Sequence, residues 1–272
     1  MHLRTAIVQL NSRDNPVENL ANVERSLDQA AEMGAQFVAL PEYWIYLGPY
    51  GGFDAAAQTV PGPAIERLQE KARRYNMIVH GGSILERHPQ LAGKFYNTSV
   101  LINRDGEIVA TYRKIHLFDV NLANGEKHYE SERIVAGDSV VTAEVDGITF
   151  GLTVCYDLRF PELFRELALR GAEILMVPAA FTLHTGRDHW EVLLRARAIE
   201  NLCYVVAPAH VGSYPPNKQC FGRSMVVNPW GLVMVQAADM PTVVVADIDL
   251  GQIEQARRQI PSLEHCRSEV YR

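Results

Sequence analysis

Ile148-Thr149-Phe150-Gly151-Leu152-Thr153-Val154-Cys155-Tyr156-Asp157-Leu158-Arg159-Phe160-Pro161-Glu162-Leu163 reads as a strand, a sharp turn and a helix opened by proline. Strand-turn-helix is the geometry that pushes a nucleophile out at a strand's C-terminal end, and Cys155 sits at that point. A nearby helix N-terminus favours the thiolate, so the expected thiol pKa is lowered. A lone cysteine after a strand is as readily a small buried hydrophobe, and position alone leaves both readings open.

Outward from this stretch the chain alternates short β-rich runs with amphipathic ones. Residues 5–10, 36–40, 77–84, 99–103, 108–112, 140–145, 148–154, 174–177, 203–207, 224–227, 232–235 and 242–248 read as strands. Residues 17–34, 63–75, 161–170, 188–201 and 250–259 read as helices, with Asp188 as an N-cap and Gly171 as a terminator. Asp105-Gly106 and Asp146-Gly147 mark hairpins. Twelve strands exceed one simple open sheet, so the expected class is α/β with two packed sheets covered by helices. No Pro/Gly/Ser-rich linker divides residues 1–272, which read as a single domain. The long irregular stretch is 118–137, and loops of that size are often functional.

Composition narrows the function classes. The chain has 272 residues, 47% apolar and 21% charged, long enough to bury a core without disulfide or metal staples. Its net charge of −6 argues against nucleic acid held by bulk charge. The longest apolar run, 174–181, is far below the length that spans a bilayer. The first ten residues lack a signal-peptide pattern, and four cysteines are too few for a secreted disulfide framework, so the expected compartment is the cytoplasm. No G-x-G-x-x-G, Walker loop, H-E-x-x-H, zinc-spaced cysteine pair or G-x-S-x-G elbow occurs. The glycines of 48–52 read as an ordinary turn. Cysteine chemistry leads.

Two further residues follow strand-like runs. Glu42 ends Gln36-Phe37-Val38-Ala39-Leu40-Pro41-Glu42, beside Tyr43 and Trp44, where desolvation pushes a carboxyl toward the range of a general base. Lys114 lies among apolar and aromatic neighbours in Tyr112-Arg113-Lys114-Ile115-His116-Leu117-Phe118, where a cation could hold an oxyanion. Only five of the 26 cations are lysines (Lys71, Lys94, Lys114, Lys127, Lys218), so one in an apolar context stands out. Spacing does not choose Lys114 over a Cys–His pairing with His116 or His189.

Leu40-Pro41-Glu42, Tyr112 through Asp119 and Val154 through Leu163 resemble the three signature blocks of the nitrilase superfamily of carbon–nitrogen hydrolases. The order matches, with 72 residues from Glu42 to Lys114 and 41 more to Cys155. The resemblance continues through Gly186, His189 to Glu200 and Asn228-Pro229-Trp230-Gly231, and so covers essentially the whole chain. It implies a four-layer α-β-β-α sandwich, paired into an eight-layer homodimer. It implies Glu42 as general base, Cys155 as nucleophile, Lys114 as stabiliser of the tetrahedral intermediate and Glu130 as a fourth site residue. Amide hydrolysis through a thioester follows, with no metal or organic cofactor required and with the Tyr156 backbone N–H joining Lys114 at the oxyanion.

Within the superfamily, Cys155-Tyr156-Asp157-Leu158-Arg159-Phe160-Pro161-Glu162-Leu163 and His189-Trp190-Glu191 are similar to the Nit subgroup of deaminated-glutathione amidases and ω-amidases. The implied partner is a small acidic keto-amide, with deaminated glutathione giving 2-oxoglutarate and cysteinylglycine. The ω-amidase substrate 2-oxoglutaramate, a nitrile, and a non-catalytic binding role are the alternatives. An anionic substrate wants a planar cation, and Arg159, four residues past Cys155, is the expected one. Arg223 stands where relatives commonly carry His, and Asp188 where a small residue is usual; both bear on specificity.

Overall fold

The computed structural model describes residues 1–271 except 123, 124 and 126. The strand His2–Gln9 shows how the layers arise. Its alternate side chains divide, Leu3 and Ile7 entering one apolar core and Ala6 and Val8 another. Phe37 and Ala39 follow the first pair and Val38 the second, as do Ile78 and Val79. These short strands are apolar on both sides because both faces of their sheet are covered.

That sheet has seven strands. Thr242–Asp249, His2–Gln9, Phe37–Ala39, Ile78–His80, Phe95–Ile102 and Ile84–Arg87 form the main path, and Ile108–Arg113 also pairs with Phe95–Ile102. Helices Pro16–Glu32 and Pro63–Tyr75 cover one face through Val23, Leu27, Ala30, Ile65, Leu68 and Ala72. The other face meets a six-stranded sheet of Val233–Gln236, Met225–Val227, Tyr204–Ala207, Ile174–Met176, Ile148–Leu152 and Thr142–Val145. Phe37 and Phe150 touch across that interface with ring centroids 5.1 Å apart. On the far side of the second sheet, a Cβ on Gly151 would meet Leu167 of the helix Pro161–Leu169 at 3.2 Å. The helix Leu183–Asn201 completes that outer layer, burying Trp190, Leu194 and Ala198. The result is a four-layer α-β-β-α sandwich.

The structure departs from the sequence reading in several places. Residues 77–84 do not form one strand, because the chain breaks at Gly81-Gly82 into Ile78–His80 and Ile84–Arg87. The helix assigned to 188–201 begins at Leu183, with Thr182 rather than Asp188 as N-cap; its side chain accepts from Thr185 N. Its first turns lack apolar periodicity and are held by tertiary contact, Gly186 packing on Phe221. Part of 118–137 is ordered as the pair Asp119–Asn121 and Lys127–Tyr129, while 123, 124 and 126 within it lie outside the described residues. No helix among the described residues is long and apolar enough to cross a membrane.

Candidate active site

Three strands end at the same place. Phe37–Ala39 runs out through Leu40-Pro41 to Glu42, Ile108–Arg113 leads into Lys114, and Ile148–Leu152 continues through Thr153-Val154 to Cys155. Cys155 has φ 48°, a left-handed conformation that a non-glycine residue adopts only when its surroundings enforce it. The enforcement is visible. The Cys155 N–H donates to Pro178 O at 2.9 Å. The fully buried Asp157 accepts from Val154 N (2.8 Å), Tyr112 OH (2.7 Å) and His116 N (3.1 Å), and pairs with His116 Nδ1 at 2.8 Å. Arg197, reaching from the outer helix, donates twice to Leu158 O.

Glu42 and Lys114 are each 2% exposed. Lys114 Nζ donates to Glu42 Oε1 at 3.2 Å and to Glu130 Oε2 at 2.7 Å, so one ammonium serves two carboxylates. Asn97 Nδ2 also donates to both, at 2.8 and 3.3 Å. Ala180 N fixes Glu42 Oε2 at 2.8 Å, Phe118 N fixes Glu130 Oε2 at 2.7 Å, and Tyr43 OH donates to Glu130 Oε1 at 2.9 Å. Tyr43 shares the positive φ of Cys155, at 51°, which turns the chain sharply after Glu42. Gly82 permits that turn, for a Cβ there would lie 2.0 Å from Pro41 O. Behind it, His210 Nε2 meets the Glu42 carbonyl oxygen at 2.6 Å.

The electrostatics follow from burial and pairing. Burial works against the Lys114 charge, but Glu130, Glu42 and Cys155 outweigh it and hold its pKa well above the ordinary lysine value. Burial raises Glu130, and Lys114 with its hydrogen-bond donors brings it below the ordinary carboxyl value. Burial and the Glu42 charge push the Cys155 thiol well above its ordinary value, with Lys114 opposing them. Both causes favour the thiol form of Cys155, and Glu42 stands beside it as the neighbouring base. These four residues occupy the buried end of a narrow cleft of about 100 Å³. Its walls are aromatic, with Tyr43, Tyr46, Tyr50, Phe53, Phe118 and Tyr156 among them.

Residues 4–258 match the family described as Carbon-nitrogen hydrolase. The chain belongs to that family. A deaminated glutathione amidase from Synechocystis sp. is 41% identical over 263 residues, covering 96% of each chain. The Omega-amidase NIT2 of Bos taurus is 39% identical over 270 residues, covering 98% of this chain and 96% of its own. The crystal structure of the C. elegans NitFhit protein superposes with a TM-score of 0.92 at 36% identity, covering 100% of this chain and 66% of that one.

In this carbon–nitrogen hydrolase the residues singled out from sequence divide into two groups. Glu42, Lys114, Glu130 and Cys155 come together, and Tyr156 lines the cleft beside them. Arg159 is not among the lining residues. Its guanidinium sits 5.9 Å from the Tyr156 ring centroid and 5.3 Å from that of Phe181. His116 is engaged with Asp157 and stacked on Phe160, and His189 faces Arg159, so neither supplies a Cys–His pair. The expected lowering of the Cys155 pKa is reversed, because burial and Glu42 overcome any helix-terminus field. Sequence reading passed over Asn97, Tyr43 and His210, whose roles arise only from folding. It also passed over residues 48–52, read as an ordinary turn, of which Gly48 and Tyr50 line the cleft. Lys218 lines it too, and the scarcity of lysine was the signal that could have found it.

Proposed function

We propose that this carbon–nitrogen hydrolase cleaves the amide of a small acidic keto-amide, deaminated glutathione, to 2-oxoglutarate and cysteinylglycine. The observation that carries this reading is the buried Glu42–Lys114–Glu130 cluster beside Cys155 in an aromatic cleft. Glu42 takes the Sγ proton as Cys155 attacks the amide carbonyl, which a buried thiol of raised pKa requires. Lys114 and the Tyr156 backbone N–H receive the oxyanion, where one donor is worth about 3 kcal/mol. Glu130 holds the Lys114 ammonium in place. The C–N bond breaks, the amine leaves with the proton from Glu42, and a thioester remains. Glu42 then deprotonates water, which attacks the thioester and releases the acid and the thiol. The similarity to a deaminated glutathione amidase at 41% identity supports this substrate.

We further propose that residues 1–272 act as one catalytic domain in the cytoplasm, since Cys155, Cys203, Cys220 and Cys266 are all free and the mechanism needs a reduced thiol. The homodimer we propose pairs through the outer helix. Val192 and Ile199 are exposed there, and Ile199 packs against Gly231 beside exposed Trp230 and Leu232, a contiguous apolar face. A monomeric mass in light scattering overturns the pairing.

The function is tested by offering deaminated glutathione, 2-oxoglutaramate and simple nitriles, and reading product acid and amine. Deaminated glutathione is the expected preferred substrate, and no turnover of it at millimolar concentration overturns the assignment. Faster turnover of 2-oxoglutaramate makes the enzyme an ω-amidase instead. Cys155→Ala should abolish activity with a melting temperature near wild type; residual full activity removes Cys155 from its role.

A further inference from the structure

We propose that Asp157 is a positioning residue for the amidase reaction, holding the Lys114 ammonium in register with Cys155 by bonding the chain segments that carry both. This rests on the amidase reading above and adds the part that sets the geometry of the oxyanion. The site is assembled from two sheets. Glu42 and Lys114 follow strands of the seven-stranded sheet, and Lys114 N is tied there to Asn97 O at 2.9 Å. Cys155 follows a strand of the six-stranded sheet, where Thr153 N donates to Met176 O at 3.2 Å and Cys155 N to Pro178 O at 2.9 Å. Apolar packing between the sheets is non-directional and holds them together without aiming a side chain. Hydrogen bonds restrict distance and angle, so they can keep a nucleophile and an oxyanion cation in register.

The Asp157 carboxyl makes that link. Its Oδ2 accepts from Val154 N (2.8 Å), next to Cys155, and from Tyr112 OH (2.7 Å), just before Lys114. Its Oδ1 accepts from His116 N (3.1 Å) and pairs with His116 Nδ1 (2.8 Å), just after Lys114. Lys114 is thus bracketed on both sides by residues that end on one carboxyl. The buried Tyr112 hydroxyl also accepts from Ile115 N at 3.3 Å, closing the segment between them. The His116 ring lies flat on Phe160 with centroids 3.6 Å apart, and Phe160 N donates to Asp157 O at 2.9 Å. The position demands an acid, because an amide of the same shape turns its NH2 toward Val154 N or His116 N, each already a donor. One backbone N–H then loses its acceptor, and either the Cys155 turn or the Lys114 segment must move. Glu42 is held separately, by Ala180 N and Asn97 Nδ2.

The test separates the thiol from the oxyanion. Alkylation by iodoacetamide forms an S–C bond at Cys155, expels iodide and passes the thiol proton to Glu42, so it needs no oxyanion. Addition of butanal joins Sγ to the carbonyl carbon, sends the thiol proton to Glu42 and leaves the negative charge on the aldehyde oxygen, so it does. Butanal affinity is read by mass spectrometry as protection of Cys155 from iodoacetamide. Tyr112→Phe removes a bond on the Lys114 side and leaves Val154 N on Asp157. It should lower butanal affinity and kcat for deaminated glutathione about tenfold, as losing one hydrogen bond to a charged group does. Its KM and its alkylation rate should stay within about twofold of wild type. Asp157→Asn should lower kcat about a hundredfold. Unchanged butanal affinity in Tyr112→Phe overturns the proposal, as does a loss of alkylation equal to the loss of butanal affinity, the mark of a merely structural role. If Asp157→Asn does not fold, Tyr112→Phe decides alone. A wild type that hydrolyses no amide overturns the amidase reading instead, and butanal affinity against alkylation rate still decides Asp157. A wild type that forms no butanal adduct overturns the positioning role itself.

Discussion

Lys114 is the residue on which the buried charges depend. An ammonium and two carboxylates have left water together, and each desolvation is compensated only while the other partners stay in place. Removing the cation leaves two like charges sharing Asn97 as a donor. Lys114→Met should therefore destabilise the fold by about 3–5 kcal/mol in urea unfolding at neutral pH, beyond its loss of activity. Adding Glu130→Gln, which removes one of the stranded charges, should return part of that stability, so the double variant is more stable than the single losses predict. A Lys114→Met loss below about 1 kcal/mol would mean the cluster contributes chemistry but little to the fold.

At the scale of elements, legibility in the sequence followed how local the physical cause is. The helix over 63–75 is bounded as read, because Pro63 starts it, its apolar spacing sustains it and Asn76 at φ 51° stops it. The Asp146-Gly147 hairpin has both central residues at positive φ, as its sequence demands. Glu42, Lys114 and Cys155 were legible as strand-end residues, since each follows an apolar run, but their convergence depends on two sheets packing face to face. Elements held by tertiary contact were missed. The hairpin Val211–Tyr214 and Lys218–Phe221 has no consistent alternation and is stabilised by bonds to Leu10 and Phe181. The start of the outer helix depends on Thr182 and on Gly186 against Phe221. Arg159 was chosen by its distance along the chain from Cys155, and it packs behind the lining residues Tyr156 and Phe181, whereas Lys218 reaches the lining from far away in sequence.

Across the whole molecule, two buried histidines tie distant parts together and make the fold sensitive to acid. His210 reaches from the second sheet's side of the chain to the first, with Nε2 on Glu42 O and Nδ1 accepting from Ser12 N at 3.4 Å. His80 accepts from Gly82 N at 3.3 Å and meets Ser99 Oγ at 3.0 Å, behind the turn that carries Glu42. Burial holds His80 down to about 3 and His210 to about 4, from an ordinary value of 6.5. Both are neutral when folded, whereas the unfolded chain takes up protons as pH drops through 6.5. The stability they contribute is thus present above 6.5 and is lost as pH falls toward 4 and 3. Glu130, depressed below 4.5, adds its own loss only under more acid conditions, so the window above about pH 5 isolates the histidines. Near pH 5, unfolding should take up about two protons from this pair, a slope of about 2.7 kcal/mol per pH unit. Urea unfolding measured at steps between pH 7 and 5 reads that slope directly. A stability that stays flat across the window would show that both rings accept protons in the folded state, and that the Glu42 turn does not depend on their neutrality.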